Sequence, residues 1–216
     1  MGRIFSSFFV TLIIAINIAV FLAWHGYADP EFMATNFLVS YDALLAGRWW
    51  VLITSVFSHN LFLHFLINMM VLSNFGRMIE PMLGHVTFLI FYLVAGAVSS
   101  LSHALVSAYV VHEPGMAALG ASGAISGLVL LFSLIFRKEK IYLLGFIPMP
   151  ALVGALVFVG LDIWGLTAQA KGGGLPIGHG AHLGGAFAGA IFYFVYVRPR
   201  MERARIAASM RGDFIA

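Results

Sequence analysis

Six apolar segments constrain what this chain can fold into more than any other feature of its sequence. They cover residues 5–24, 52–74, 86–107, 122–136, 148–168 and 181–197. An α-helix needs about twenty consecutive apolar residues to cross the hydrocarbon core of a bilayer. Only 10% of the residues are charged, against roughly 25% in soluble domains. We therefore predict an all-α membrane protein with six transmembrane helices, forming a single membrane domain over residues 1–216.

Two of these segments carry further information. The first follows Arg3, is too long for the apolar region of a signal peptide and lacks a small-x-small cleavage site, so we interpret it as an uncleaved helix. The fourth is short for a membrane span and follows an apolar, glycine-bearing connection over residues 108–121. Irregular backbone at membrane depth is tolerated where it lines a water-filled cavity. We expect such a cavity here, open to the outer face.

The orientation is predicted from Lys and Arg, which concentrate on the cytoplasmic side of membrane proteins. If the N-terminus is cytoplasmic, only Arg48 and Lys171 of the 12 basic residues lie outside. The inner set consists of Arg3, Arg77, Arg137, Lys138, Lys140, Arg198, Arg200, Arg203, Arg205 and Arg211. We therefore expect both termini in the cytoplasm, with a basic tail over residues 198–216 beside the membrane surface.

Ser122 lies in the stretch Leu119–Gly127, in which small residues predominate. Such residues occur where membrane helices pack closely. A serine hydroxyl among them is also accessible to a peptide, but it becomes a nucleophile only with a base within hydrogen-bond reach. Both interpretations are open for this stretch alone, and the choice depends on whether a base lies at the same depth.

Candidate partners lie in the second and sixth segments. His64 and Asn68 are four residues apart and share a helix face, and His182 shares a face with two glycines. A rise of ~1.5 Å per residue from the basic residues at the inner ends puts Ser122 at ~22 Å, His182 at ~24 Å, His64 at ~20 Å and Asn68 at ~14 Å. The serine and both imidazoles therefore lie at nearly one level.

This arrangement suits nucleophilic catalysis. His182 would be the base for Ser122. The Asn68 amide, the His64 imidazole and the Ser122 N–H would stabilise a developing oxyanion. Close packing of the fourth and sixth helices would be allowed by four glycines, which are Gly123, Gly127, Gly185 and Gly189.

Together these residues resemble the rhomboid family of intramembrane serine proteases. The similarity rests on Gly120-Ala121-Ser122-Gly123, on His64-x-x-x-Asn68 preceded by His59, on Ala181-His182-Leu183-Gly184-Gly185 running on to Gly189, and on Gly76-Arg77-x-x-Glu80-x-x-x-Gly84. The resemblance implies the six-helix rhomboid core and a Ser–His dyad, with Ser122 as nucleophile and His182 as base. It also implies an oxyanion hole formed by His64, Asn68 and the N–H of Ser122, and no cofactor.

The resemblance to six-helix prokaryotic members implies a multi-pass protein of a bacterial inner membrane, with its active site opening to the outer face. Its partners would be transmembrane protein substrates and the lipid bilayer, with no nucleic acid and no metal. We expect the substrate to be a transmembrane helix that unwinds and is cut near its outer end. Access past the fifth segment is favoured because Pro148, Pro150 and Gly154 make that helix yielding.

Two positions depart from the family pattern. Trp50 is followed by Val51, with the arginine displaced to Arg48, and Ser126 stands where an aromatic ring often packs on the catalytic imidazole. What holds His182 in place is therefore open. Supporting roles are assigned to His59, His179, Ser126 and Gly120.

Asp162 in the fifth segment could orient His182 as a third catalytic member, or serve as a gate or interhelical hydrogen-bonding group, whereas the resemblance implies a dyad. Glu80 is interpreted as a helix cap or ion pair at the inner surface. Two other functions are considered for the whole chain. One is a catalytically inactive rhomboid-like binding protein, and the other is a small proton-coupled transporter using buried ionisable residues as a relay.

Overall fold

The computed structural model describes residues 7–143 and 147–210, so Arg3 and Arg211 of the orientation argument lie outside the described residues. Its helices are α1 Phe8–Leu22, α2 Pro30–Phe37, α3 Tyr41–Leu45, α4 Val51–Thr54, α5 Phe62–Leu83, α6 His85–Tyr109, α7 Ser122–Ile135, α8 Ala151–Ala170, α9 His179–Phe192 and α10 Arg198–Met210. Strands β1, Lys140–Leu143, and β2, Ile147–Pro150, pair antiparallel, with Lys140 opposite Pro150. The chain is thus mostly helical, as predicted.

Within the described ranges, five helical stretches are long and apolar enough to cross a membrane: Phe8–Gly26, Phe62–Leu83, His85–Tyr109, Ala151–Ala170 and His179–Met210. Helix α7 is apolar but has only 14 residues. The chain is therefore a multi-pass membrane protein, and the short fourth segment of the sequence is indeed the shortest of these apolar helices.

The second predicted segment begins in the wrong place. Helix α5 starts at Phe62, ten residues after the predicted start at residue 52, and continues past Arg77 to Leu83. The chain leaves helical geometry at Ser58, whose hydroxyl accepts a 2.7 Å hydrogen bond from Trp24 Nε1. Two apolar residues of the stretch 51–57, Val51 and Val56, are buried inside the protein and so do not face lipid.

The start of the fifth predicted segment is also wrong. Pro148 and Pro150 belong to β2, and α8 begins only at Ala151. Proline lacks the backbone N–H needed inside a helix, which explains why the helix starts after both. Gly154 is buried, since a Cβ added there would lie 2.5 Å from Ile141 Cδ1. Gly154 therefore packs against the β-hairpin, and the two prolines lie before the helix. That this end of α8 yields to a substrate stays a prediction.

The last apolar segment is longer than predicted. Helix α9 begins at His179, passes through a π-helical turn over Tyr193–Val197 and continues as α10. The described part of the basic tail is therefore an exposed helical extension, in which Arg198 Nε donates to Glu202 Oε1 at 2.9 Å.

The first long connection, residues 26–51, contains short helices, two of which begin at local capping residues. The Asp29 side chain accepts the Phe32 N–H at the start of α2, where Pro30 occupies the first turn. Ser40 caps α3 in the same way. Val39 then pairs with Ala118 through two backbone hydrogen bonds of 2.9 and 2.8 Å. This pairing ties the first long connection to the loop that precedes α7.

Helix α7 packs against both α6 and α9, and these two helices also pack directly on each other. Its residues Leu128 and Leu131 are fully buried with Phe88 and Tyr92 of α6. The contact between α7 and α9 is made by backbone, since a Cβ added at Gly185 would lie 1.8 Å from the Gly123 carbonyl oxygen. The corresponding distances are 2.6 Å from Gly127 to the Gly185 oxygen and 2.3 Å from Gly189 to the Gly127 oxygen. The predicted close packing through these four glycines is confirmed.

Glu80 links α5 to the start of α1. Its carboxylate is fully buried and accepts the N–H groups of Phe9 and Val10 at 3.0 and 2.9 Å. His85 Nδ1 lies 2.5 Å from Glu80 Oε1. The prediction of a helix cap is therefore confirmed, and the ionisable partner of the carboxylate is His85.

Candidate active site

Ser122 is the first residue of α7. The preceding residue, Ala121, has φ −69° and ψ −11°, and Gly120 has φ +125°, a conformation that a residue with a side chain rarely adopts. The Gly120 N–H donates to the Ser55 carbonyl at 2.9 Å. Because the first N–H groups of a helix have no partner within it, the N–H of Ser122 is free of intrahelical bonding. Ser122 therefore presents both its hydroxyl and a backbone N–H without an intrahelical partner at the N-terminus of α7.

The structure brings Ser122 and His182 together. Ser122 Oγ lies 2.9 Å from His182 Nε2, within normal hydrogen-bond distance. The His182 side chain is 21% exposed, so the imidazole is enclosed by protein but still open on one side. The glycine contacts between α7 and α9 place these two helices close enough for this bond. A hydroxyl hydrogen-bonded to an imidazole is the arrangement that activates a serine nucleophile.

The second nitrogen of His182 also has a partner. His182 Nδ1 lies 3.0 Å from Asp162 Oδ1, and His179 Nδ1 lies 2.7 Å from the same oxygen. Sequence reasoning left the role of Asp162 open, and the structure places it on α8 in direct contact with the imidazole that faces Ser122. His179 is buried and packs on Gly165, where an added Cβ would lie 2.3 Å from His179 Cε1.

His64 and His59 lie on the other side of Ser122. Their rings pack edge to face with centroids 5.0 Å apart. A Cβ on Gly120 would lie 2.6 Å from His64 Cε1, so the glycine lets the loop approach the ring. His59 is fully buried, and its Nε2 lies 3.3 Å from the Ala121 N–H. His59 therefore contacts the backbone of the residue just before Ser122, and its supporting role stays a prediction.

Asn68 is buried one turn below His64, and its Nδ2 donates to the His64 carbonyl at 2.7 Å. One amide hydrogen is thus directed along α5. Its contribution to an oxyanion hole stays a prediction. Ser126 donates to the Ser122 carbonyl at 2.9 Å within α7, so its hydroxyl bonds to its own helix and does not reach His182.

A cavity of about 770 Å³ leads to the pair. Its lining includes Ser122, His182 and His64, together with Asn60 from the turn before α5 and Gln169 near the end of α8. The loop before α7 forms one wall, as expected from its apolar composition. The cavity is large enough for water and for an extended peptide segment.

Sequence reasoning missed the small polar residues of α6 that support this site. Ser102 Oγ donates to the Gly180 carbonyl at 2.8 Å and so fastens the start of α9, close to His182. Ser99 lines the cavity, and a Cβ added at Gly123 would lie 1.7 Å from Ser99 Oγ. Small hydroxyl residues inside a membrane helix are a recognised sign of interhelical contact, and their repeated occurrence over residues 99–107 was the available signal.

These features define a class: a multi-pass helical membrane protein in which a Ser–His pair lines a cavity. A family model described as Rhomboid domain matches residues 46–199. On that match, the chain belongs to the rhomboid family.

Three relatives illustrate the similarity. RHOMBOID-like protein 12, mitochondrial, of Arabidopsis thaliana is 35% identical over 90% of this chain and 59% of its own length. Rhomboid protein 1, mitochondrial, of Saccharomyces cerevisiae is 32% identical over 91% and 55%. Putative rhomboid protease YdcA of Bacillus subtilis is 34% identical over 61% and 65%. The chain thus spans less than two thirds of the length of these relatives.

Proposed function

We propose that this chain is an intramembrane serine endopeptidase that cleaves transmembrane helices of other membrane proteins. The observation that carries the proposal is the 2.9 Å approach of Ser122 Oγ to His182 Nε2 in the wall of a cavity. Membership of a family that includes proteins named as proteases supports it. A catalytically inactive binding protein would have no need to keep this pair in bonding geometry.

In the proposed acylation step, Ser122 Oγ attacks the carbonyl carbon of the scissile peptide and its proton passes to His182 Nε2. The tetrahedral intermediate then collapses with cleavage of the C–N bond. His182 gives its proton to the leaving nitrogen, and the fragment with the new amino terminus departs. The other fragment remains as an ester on Ser122.

Deacylation repeats these steps with water as the nucleophile. A water molecule in the cavity gives a proton to His182 Nε2 and attacks the ester carbonyl. Collapse of the second intermediate breaks the bond to Ser122 Oγ, which recovers a proton from His182. The second fragment leaves with a carboxyl terminus, and the pair is restored.

The proposed oxyanion donors are the Ser122 N–H, the His64 imidazole and the Asn68 amide. The N–H lies at a helix N-terminus, where the helix dipole favours negative charge. The His64 ring lines the cavity with Ser122. The Asn68 amide has a second hydrogen besides the one bonded to the His64 carbonyl, and that hydrogen is the one available to the oxyanion.

The proposed topology has α7 as a sixth, short transmembrane helix within one domain over residues 1–216, and both termini in the cytoplasm. The proposed location is the inner membrane of a bacterium, with the cavity opening to the outer face. The substrate would be cut near its outer end, because Ser122 stands ~22 Å above the inner boundary of a hydrocarbon core ~30 Å thick. Mass spectrometry of products from a substrate of known topology tests this, and cuts in its cytoplasmic half would contradict it.

The direct test of the chemistry is labelling with a fluorophosphonate that reacts with activated serines. Wild-type protein in detergent should be labelled and should cleave a model transmembrane substrate, whereas Ser122→Ala and His182→Ala should do neither. The matched control is Ser133→Ala on the same helix, a fully buried serine whose hydroxyl has no partner in the described residues. Labelling that survived in Ser122→Ala would refute the assignment.

A further inference from the structure

One oxygen of the Asp162 carboxylate lies within hydrogen-bond distance of two imidazole rings. A site that consisted of the Ser–His pair alone would not need this carboxylate. Oδ1 lies 3.0 Å from His182 Nδ1 and 2.7 Å from His179 Nδ1. A carboxylate oxygen can accept two hydrogen bonds, whereas a hydroxyl hydrogen can be donated to only one partner. The geometry therefore fits an ionised carboxylate that accepts from both rings.

We propose that Asp162 is a positioning residue for His182: it accepts the Nδ1–H hydrogen bond and thereby leaves Nε2 free to accept the proton of Ser122. This inference rests on the proposed function. It adds a third member on α8 to a pair supplied by α7 and α9. It also answers how the His182 ring is held, since the Ser126 hydroxyl bonds within its own helix.

The tautomer of His182 is the physical link. Neutral imidazole has one N–H and one bare nitrogen, and the hydrogen bond made by one nitrogen decides the state of the other. An acceptor at Nδ1 requires the hydrogen there, so that Nε2 is bare and faces Ser122 Oγ at 2.9 Å. Without that acceptor, the hydrogen can reside on Nε2, and the ring then cannot take a proton from the serine.

His179 has a different part, which is to anchor the carboxylate. Its ring is buried, its Nε2 has no partner within the described residues, and it packs against Gly165 of α8. The polar contact of the ring is with Asp162. His179 therefore holds the Asp162 side chain through the same oxygen that His182 contacts.

Because Asp162 lies on α8, the orientation of the His182 ring depends on the position of that helix. The buried residues of α8 are Ala151, Gly154, Ala155 and Gly165, and the outer half contributes only the last of them. The hydrogen bonds of Asp162 join this half of α8 to α9, beside the packing of Gly165 on His179. If α8 moved away, His182 would lose its Nδ1 partner at the same time.

The first measurement is made on the wild-type protein. In protein with ¹⁵N-labelled histidine, the shifts of the two ring nitrogens show which one carries hydrogen, and a His182→Gln spectrum assigns the signals. We expect hydrogen on Nδ1 of His182. Hydrogen on Nε2 in the neutral ring would overturn the proposal, and this outcome does not depend on any variant folding.

The second measurement compares Asp162→Asn with two controls. The amide has the shape of the carboxylate but can donate to Nδ1, so kcat should fall about 10²-fold or more with little change in KM, as for loss of the acid in other serine proteases. The His182 shifts should change in the same variant. His179→Asn should lose less than tenfold, because the carboxylate stays. Gly160→Ala, where no described atom lies within 4 Å of the added Cβ, should match wild type.

The outcomes separate this inference from the proposed function. Turnover by Asp162→Asn within threefold of wild type, with Ser122→Ala inactive, overturns the positioning role and leaves the peptidase intact. Loss of turnover with unchanged His182 shifts also overturns it, since the effect would then not act through the tautomer. Activity in Ser122→Ala would instead refute the proposed function itself.

Discussion

Replacing Gly185 by alanine should disable the site without touching a reacting group. The added Cβ would lie 1.8 Å from the Gly123 carbonyl oxygen, whereas ordinary contact begins at 3.4 Å. The two helices must therefore separate by the difference, about 1.6 Å, because both atoms belong to backbone or to a rigid methyl and neither can rotate away. Overpacking of this kind costs roughly 1–3 kcal/mol of stability.

The same displacement acts on the pair one turn away. His182 precedes Gly185 by three residues on α9, and Ser122 adjoins Gly123 on α7. If the separation carries to the pair in full, the 2.9 Å distance between Oγ and Nε2 grows to about 4.5 Å, beyond hydrogen-bond reach. A misplacement of about 1 Å can cost ~10² in rate. We expect the rate of fluorophosphonate labelling to fall by at least that factor.

The assay compares labelling rates at equal amounts of folded protein, judged by circular dichroism and a thermal melt in detergent. Gly189→Ala is the matched variant, because its Cβ would lie 2.3 Å from the Gly127 carbonyl, one turn further from the pair. It should be destabilised similarly but should label faster than Gly185→Ala. A folded Gly185→Ala protein that labelled at the wild-type rate would refute the argument that backbone contact sets the Ser–His distance.

Three further changes test other parts of the structure. Gly120→Ala should lower turnover at least tenfold, since φ is +125° and the added Cβ would lie 2.6 Å from His64 Cε1. The rate of substrate cleavage measures this loss, and full activity would contradict the loop geometry. Asn68→Ala should lower kcat by about 10–10² with KM unchanged, and a pure KM effect would refute the oxyanion role. Glu80→Ala should lower stability by about 1–3 kcal/mol per unpaired N–H at the start of α1, measured by thermal melting; an unchanged midpoint would exclude the capping role.

Apolar composition predicted that the chain is a helical membrane protein, and it placed α6 and α7 within two residues of their observed bounds. The same criterion failed at residues 52–57 and at Pro148. Apolarity measures exclusion from water and does not distinguish a side chain that faces lipid from one that faces the protein interior. The start of α5 was decided instead by the break at Ser58 and its contact with Trp24.

At the site, the sequence by itself determined depth and helix face. Helical periodicity put Ser122 and His182 at one level and put the glycines on facing sides, and the structure has the two side chains in contact. Depth follows from the fixed rise of a helix, which needs no knowledge of the neighbours.

The directions of the remaining side chains were decided only by tertiary structure. Asp162 could have faced lipid, a gate or either histidine of α9, because periodicity within α8 does not specify how that helix is rotated against α9. In the structure, His179 packs on Gly165 and the Asp162 carboxylate lies at His182 Nδ1, so α8 is rotated with this face toward α9. The Asn68 amide also turned toward its own helix, where one of its hydrogens is donated to the His64 carbonyl four residues earlier. Rotation about a helix axis and about a side-chain bond depends on what packs alongside, which a single helical pattern does not contain.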